Sequence, residues 1–148
     1  MKTLSLIAGA AALAATSAFA DGHASGDAAA GDAEFKKCAS CHVIADGDNV
    51  LGGRGKTGPN LFGLPGRVAG ADEDFGKKYG KDLVAAGEAG LVWDEEQFVT
   101  YVADPRKFLQ AKLDDKKARS KMSFKLRDAE DAANIWAYIA SVSPAPTN

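Results

Sequence analysis

The stretch Cys38-Ala39-Ser40-Cys41-His42 carries the strongest signal in this sequence. Cys-x-x-Cys-His is the attachment signature of a c-type haem. Two thiols three positions apart lie on one side of a helical turn, where they can add to the two vinyl groups of one porphyrin. His42 follows directly and can bind the iron as the proximal ligand. The five residues therefore predict one covalently attached haem c per chain.

The same cysteine spacing also occurs in redox-active disulfides and in zinc sites. A structural zinc ion usually needs four nitrogen or sulfur ligands, and the chain offers only Cys38, Cys41, His42 and His23. A thioredoxin-like dithiol belongs in a βαβ unit, and no convincing alternating Val/Ile-rich strand is visible. Haem attachment is therefore favoured over both alternatives.

The first twenty residues have the pattern of a secretory signal peptide. Lys2 precedes an apolar run over 4–15, and Ala18-Phe19-Ala20 matches an A-x-A cleavage site. The run is shorter than the roughly 20 residues that span a bilayer, which disfavours an uncleaved anchor. We expect cleavage after Ala20 and export to the periplasm.

The remaining chain predicts one small domain. Residues 21–30 are small and polar and predict a flexible tail, and 144–148 form a C-terminal tail. The domain itself spans 31–143, and its thin core would be completed by a buried haem. Without the signal peptide, Met122 is the one methionine left.

Helical spacing of apolar residues predicts an all-α domain with about four to five helices and long loops. Gly31, Phe35, Cys38 and His42 share one helical face that leads into the haem motif. The glycine-rich region 45–70 predicts a loop wrapped around the haem. Four further helices are predicted, over 81–86, after the cap residue Asp94, after Asp104-Pro105, and from about Asp128 to before Pro144.

Motifs in a fixed order resemble those of the class I c-type cytochromes, most closely the soluble cytochrome c2 proteins of bacteria. The resemblance covers nearly the whole chain after the signal peptide and implies a class I cytochrome c fold. Its motifs are Gly31-x-x-x-Phe35-x-x-Cys38, Thr57-Gly58-Pro59-Asn60-Leu61, Trp93-Asp94-Glu95-Glu96, Asp104-Pro105, Lys121-Met122-Ser123-Phe124 and Ile135-Trp136-Ala137-Tyr138.

The resemblance implies that Met122 is the second axial ligand, and the methionine count agrees. A thioether is a soft donor that favours ferrous iron and raises the reduction potential relative to a second imidazole. A packing methionine is the alternative, but Lys121 and Ser123 make this stretch polar. The resemblance also implies that the Tyr101 hydroxyl points toward the Met122 sulfur.

Other implied roles concern the surroundings of the haem. Pro59 would offer its carbonyl to the ring N–H of His42 and so fix the imidazole. The haem propionates would otherwise be buried carboxylates without partners. The residues implied to meet them are Arg67, Tyr79 and Trp93. As alternatives, Trp93 and Tyr101 would be ordinary core aromatics and Arg67 a surface charge.

The resemblance also implies a contact between the first and last helices, and the chain departs from some family members in length at three places. Gly31 and Phe35 would cross the last helix near Ile135 and Tyr138, where the small residue allows close backbone approach. Relative to shorter, mitochondrial-type members, the chain looks longer at 51–55, near 72–73 and at 114–120.

The charges are unevenly distributed along the chain. It has 18 Lys or Arg and 20 Asp or Glu, but the segment from Arg106 to Arg127 holds nine basic residues against Asp114 and Asp115. This basic block surrounds Met122 and predicts a docking face for an acidic partner, although a merely solvated face is the alternative. The acidic pI of about 5.7 disfavours nucleic acid as a partner. The candidate docking residues are Arg106, Lys107, Lys121, Lys125 and Arg127.

These observations favour a monomeric electron carrier that is not an enzyme. With His42 and Met122 bound throughout, one electron would pass through the exposed haem edge. By resemblance, the donor would be a cytochrome bc1 complex and the acceptor a photosynthetic reaction centre or a terminal oxidase. The alternatives are a haem enzyme or gas sensor with a labile sixth ligand, and a membrane-tethered cytochrome.

Overall fold

The computed structural model describes residues 24–145. Within this range the chain forms five α-helices, one β-hairpin and long loops, which confirms the predicted helical class. The expected signal peptide and residues 146–148 lie outside the described residues. No helix in the described range is long and apolar enough to cross a membrane. The helices are α1 (Ala28–Glu34), α2 (Lys81–Glu88), α3 (Glu95–Ala103), α4 (Pro105–Lys112) and α5 (Ala129–Val142).

Aspartates begin four of these helices. The Asp94 carboxylate accepts from Gln97 N at 2.7 Å, and the Asp104 carboxylate accepts from Lys107 N at 3.1 Å. Asp27 and Asp128 cap α1 and α5 in the same way. Each cap satisfies backbone N–H groups that have no partner within the helix. The predicted starts of α3, α4 and α5 are confirmed.

The first and last helices cross at Gly31. Gly31 is buried against the backbone of Asn134 and the side chain of Tyr138. Next to this crossing, the rings of Phe35 and Tyr138 lie 5.9 Å apart. The Asn134 side chain accepts a hydrogen bond from Asp27 N at 2.7 Å. The predicted crossing is therefore confirmed, with Asn134 as an additional contact.

The N-terminal part of the domain differs from the prediction in two ways. Residues 24–30 are packed rather than a free tail: Ser25 N donates to the Glu95 carboxylate at 2.9 Å, and α1 already begins at Ala28. The α-helix also ends at Glu34, before the haem motif, and a short 3-10 helix over Phe35–Lys37 follows it. Helix α1 starts earlier than predicted because the Asp27 side chain caps it and because the backbone N–H groups of Ser25 and Asp27 donate to Glu95 and Asn134.

A β-hairpin occupies part of the region predicted as loop. Strands β1 (Val43–Asp46) and β2 (Asn49–Gly53) pair antiparallel around a turn in which Gly47 has φ +56°. The Tyr138 hydroxyl donates to Leu51 O at 2.9 Å, so α5 supports the hairpin. The strands are too short to show an alternating pattern in the sequence: β1 buries two adjacent residues, Ile44 and Ala45, and β2 is mostly exposed.

The core contains a cluster of aromatic side chains contributed by α3, α4 and the residues before them. The Trp93 and Tyr101 ring centroids are 5.1 Å apart, and those of Tyr101 and Phe108 are 5.5 Å apart, both edge to face. All three rings are buried. Because aromatic pairs in this geometry add to the gain from burial, the cluster gives α3 a rigid inner face.

Candidate haem site

A cavity of about 290 Å³ opens in the middle of the domain. Its lining comes from the haem motif, the loop after it, the segment before α2, the inner face of α3 and the loop before α5. Most of the lining side chains are apolar or aromatic. The residues proposed from the sequence that line it are Cys38, Cys41, His42, Pro59, Tyr79, Trp93, Tyr101, Lys121 and Met122.

The haem motif forms a single helical turn. Cys41 N donates to Cys38 O at 3.1 Å, and His42 N donates to the same oxygen at 2.9 Å. The turn brings both cysteines and His42 to the cavity wall. Their backbone arrangement therefore suits two thioether bonds to one porphyrin and a histidine ligand beside them.

The two free thiols have different environments. Burial raises the pKa of Cys38 to about 11. The pKa of Cys41 is lowered by hydrogen bonds with Thr57 and Ser40, and its side chain is exposed. Since the thiolate is the nucleophilic form, the lowered pKa favours Cys41 over Cys38 as the more reactive free thiol.

His42 is held in one orientation. Its Nδ1 lies 2.9 Å from Pro59 O. A carbonyl oxygen can only accept, so Nδ1 carries the proton and the lone pair of Nε2 is left free to bind a metal. Burial lowers the pKa of His42, and the bond to Pro59 opposes this effect. The neutral ring that a metal needs is therefore favoured.

Gly58 permits this placement of the histidine. A Cβ at position 58 would lie 2.6 Å from Nδ1 and 2.7 Å from Nε2 of His42. Real Cβ atoms do not approach a ring so closely, so any larger residue would displace the imidazole or the loop. The Thr57-Gly58-Pro59 sequence thus supplies both the space for the ring and the acceptor for its proton.

Met122 is partly buried and lines the same cavity as His42. Its backbone N–H donates to Ser120 Oγ at 3.1 Å. The Tyr101 hydroxyl is hydrogen bonded to Ser120 Oγ at 3.2 Å, whereas we expected it to point toward the Met122 sulfur. Burial raises the pKa of Tyr101 and the bond to Ser120 opposes the rise. Ser120, which we did not predict, therefore links Tyr101 to residues 119–122, the methionine segment.

Two further bonds tie the methionine segment to the start of α2. Lys121 Nζ donates to Lys78 O at 2.7 Å. Arg119 N donates to the Asp82 carboxylate at 2.8 Å. Neither Asp82 nor Lys78 was predicted, because their partners are about 40 positions away in the chain. The two bonds therefore hold residues 119–121 against residues 78–82 at one edge of the cavity.

The three residues expected at the haem propionates take different positions. Tyr79 and Trp93 line the cavity. Arg67 lies outside the lining, where its guanidinium donates to Asn60 O at 2.8 Å, to Phe62 O and to the Asp72 carboxylate. The contact of Arg67 with a propionate therefore stays a prediction.

The predicted docking residues are all exposed, but only one lines the cavity. Lys121 does so, together with the basic side chains of Lys37, Lys78 and Arg119. Lys125 is paired with Asp104 at 2.7 Å. The exposed docking candidates away from the lining are Arg106, Lys107, Lys125 and Arg127.

The donor set of the cavity fits a haem c better than a bare metal ion. Two thiols in one turn, an imidazole with a free Nε2 and a thioether line one largely apolar cavity, and these are the groups that would form two thioether bonds and bind the iron. Among residues 24–145, no three or more His, Cys, Asp or Glu side chains are grouped so as to hold a metal ion.

Comparison with known proteins gives a consistent result, although no family model matches the chain. It is 51% identical to cytochrome c2 of Cereibacter sphaeroides over 82% of this chain and 98% of the relative. It is 56% identical to cytochrome c-551 of Roseobacter denitrificans over 88% of this chain and 91% of the relative.

Solved structures agree with the sequence relatives. The crystal structure of cytochrome c2 from Rhodobacter sphaeroides superposes with a TM-score of 0.78 at 51% identity, covering 82% of this chain and 99% of that one. Ferric cytochrome c-550 from Paracoccus versutus gives a TM-score of 0.74 at 40% identity, covering 80% and 99%. Identity at this level over nearly the full length of the relatives shows that the chain belongs to the cytochrome c2 family.

Proposed function

We propose that the chain is a periplasmic one-electron carrier with one haem c. The observation that carries the proposal is that Cys38, Cys41, His42 and Met122 all line one apolar cavity. The cysteines would form the thioethers, and His42 and Met122 would bind the iron. Membership of the cytochrome c2 family supports an electron-transport role.

The bound haem would supply a one-electron ferric/ferrous couple. The chain's part is to keep both ligands in place while the charge changes. Pro59 O holds the His42 ring through its Nδ1 proton, and Ser120 holds the backbone of Met122. Buried aromatic side chains limit the entry of water and of foreign ligands. Such a site changes little on electron transfer, which suits a carrier rather than an enzyme.

The partners are proposed on the family relationship and on charge. A cytochrome bc1 complex would be the donor, and a photosynthetic reaction centre or a terminal oxidase the acceptor. Lys37, Lys78, Arg119 and Lys121 bring positive charge to the cavity edge. These charges would steer a monomer toward an acidic protein surface and make association depend on salt. Nucleic acid is not a proposed partner.

Replacing the distal ligand tests the carrier proposal. We expect Met122→Ala to lose the sulfur-to-iron charge-transfer band of the ferric protein and to lower the reduction potential, because a soft donor to ferrous iron is removed. Leu83→Ala is the matched control, since Leu83 also lines the cavity but carries no donor atom. This control should keep the band.

Two spectra would contradict the proposal. A parental ferric spectrum in Met122→Ala would exclude Met122 as a ligand. A high-spin spectrum in the parent protein would favour the haem enzyme or gas sensor, which needs an open sixth position.

The proposed location is tested by the mass of the native protein. A mature chain that begins at Asp21 in the periplasmic fraction would agree with signal cleavage. Retention of residues 1–20 in the membrane fraction would favour the tethered alternative instead.

The proposed acceptors can be separated by kinetics. Oxidation of the reduced protein is followed in parallel with purified reaction centre and with purified oxidase. Fast, salt-dependent oxidation by one of them identifies the acceptor, and slow, salt-independent oxidation by both would contradict the docking proposal.

A further inference from the structure

Arg67 and Asp72 form an ion pair that is largely withdrawn from solvent. Arg67 Nη1 lies 3.2 Å from Asp72 Oδ2, and the two side chains are 18% and 13% exposed. In the described range the other ion pairs, Lys37–Asp131 and Lys125–Asp104, have lysines about 40% exposed. Charges shielded from water are screened less by salt, so the Arg67–Asp72 pair keeps its electrostatic influence.

The pair lies directly behind the cavity wall. Asp72 Oδ1 accepts from Phe75 N at 3.1 Å, and Asp72 O accepts from Gly76 N at 2.9 Å. These bonds shape the turn that carries Phe75 and Tyr79, both of which line the cavity. One oxygen of the Asp72 carboxylate therefore binds Arg67, and the other binds the backbone N–H of Phe75 in the cavity wall.

The pKa of the Tyr79 hydroxyl is influenced by the charges of both Asp72 and Arg67. Burial raises the pKa of its hydroxyl, the negative charge of Asp72 raises it further, and the positive charge of Arg67 and a hydrogen bond with Arg67 oppose the rise. Asp72 and Arg67, which lie outside the lining, therefore interact electrostatically with Tyr79 in the wall of the cavity.

We propose that Asp72 is a positioning residue that holds Arg67 behind the cavity wall and Tyr79 within it, and that Asp72 lowers the reduction potential of the site. The inference rests on the proposed haem in this cavity. A negative charge near iron stabilises the ferric form, and a positive charge stabilises the ferrous form. With Asp72 present, the charge of Arg67 is balanced from within the protein. Without Asp72, Arg67 keeps its charge and the ferrous form is favoured.

The test is the reduction potential of Asp72→Asn in the full, haem-loaded protein. We expect the equilibrium constant for reduction by a reference couple to rise about threefold, which is about 30 mV for one electron. Asp72→Glu, which keeps the charge, should stay closer to the parent. Asp74→Asn removes an equal charge from an exposed position two residues away and should change the constant by less than about 1.5-fold.

Salt dependence separates the buried pair from a surface charge. The shift in Asp72→Asn should persist at high ionic strength, whereas any shift in Asp74→Asn should shrink. A shift in Asp72→Asn that is no larger than that of Asp74→Asn, or that disappears in high salt, would overturn the inference. A shift of equal size in Asp72→Glu would also overturn it, because the negative charge is then not the cause.

Arg67→Gln gives a second test if Asp72→Asn does not retain haem. That variant leaves Asp72 without its cation, so the equilibrium constant for reduction should fall, and a rise or no change would overturn the inference. Haem content and the charge-transfer band are measured in the parent protein and each variant. A parent without haem would defeat the proposed function, while a haem-loaded Asp72→Asn with the parental potential would defeat only the role of Asp72.

Discussion

The helix crossing at Gly31 allows a quantitative prediction for Gly31→Ala. A Cβ at this position would lie 1.9 Å from the carbonyl oxygen of Asn134, 2.5 Å from its carbonyl carbon and 2.9 Å from Cβ of Tyr138. Non-bonded carbon atoms prefer about 3.5 to 4.0 Å. Helices α1 and α5 must therefore separate by more than about 1 Å to admit one methyl group.

The expected cost follows from packing and helix propensity. Overpacking a tight contact costs about 1–3 kcal/mol, and this contact is at the tight end because the obstacle is backbone. Alanine recovers about 1 kcal/mol because it is a better helix former than glycine. We expect a net loss of about 2 kcal/mol in the free energy of unfolding, roughly a thirtyfold change in the ratio of folded to unfolded protein.

The assay is urea unfolding of the haem-loaded protein, followed by helical circular dichroism. Gly80→Ala is the matched control: Gly80 has φ −73°, and a Cβ there would meet Lys121 Cγ at an ordinary 3.4 Å. This control should lose less than about 1 kcal/mol, mainly from the helix cap. A loss in Gly31→Ala below about 0.5 kcal/mol, or equal to that of the control, would refute the reasoning.

Three further predictions concern side chains. Asn60→Ala should lose about 2 kcal/mol in urea unfolding, because Asn60 exchanges hydrogen bonds of 3.1 and 2.7 Å with the backbone of residue 45; exposed Asn49→Ala should lose little. The pKa of Asp104 is lowered mainly by its hydrogen bond with Lys125, so the stabilisation exists above the usual aspartate pKa and is lost as pH falls through the lowered value. Lys125→Gln should therefore reduce Tm at neutral pH but not in strong acid, and an equal reduction at both would contradict the assignment. Lys121→Gln should slow electron exchange with the acidic partner at low salt only, and unchanged rates there would remove the steering argument.

Local signals predicted the parts of the fold that local interactions determine. Asp94 and Asp104 could be identified as caps because an apolar helical pattern follows each of them. Asp27 is an equally good cap, but the alanines after it give no apolar face, so the start of α1 was missed. The predicted single helix through Cys38 was wrong because the chain tightens into a 3-10 turn after Glu34.

Contacts between distant residues could not be predicted from the sequence. The hairpin accepts a hydrogen bond at Leu51 from Tyr138, 87 positions away, and another at Ala45 from Asn60, which lies 15 positions away beyond the second strand. Asp82 and Ser120 act through partners 37 and 19 positions away. The proposed haem donors could be named from the sequence for a different reason: the chemistry of attachment requires a fixed local spacing, and few other donors exist in the sequence.

The pairing of α1 with α5 has a consequence for the order in which the protein is assembled. Every cavity-lining residue in the described range, from Lys37 to Phe124, precedes α5 in the chain. Yet α5 supplies the surface on which α1 and the hairpin rest. A growing chain therefore presents its thiols before the helix that closes the domain has been made. The cavity-lining residues are therefore complete in the chain before the helix that supports them, and α5 closes the domain without lining the cavity.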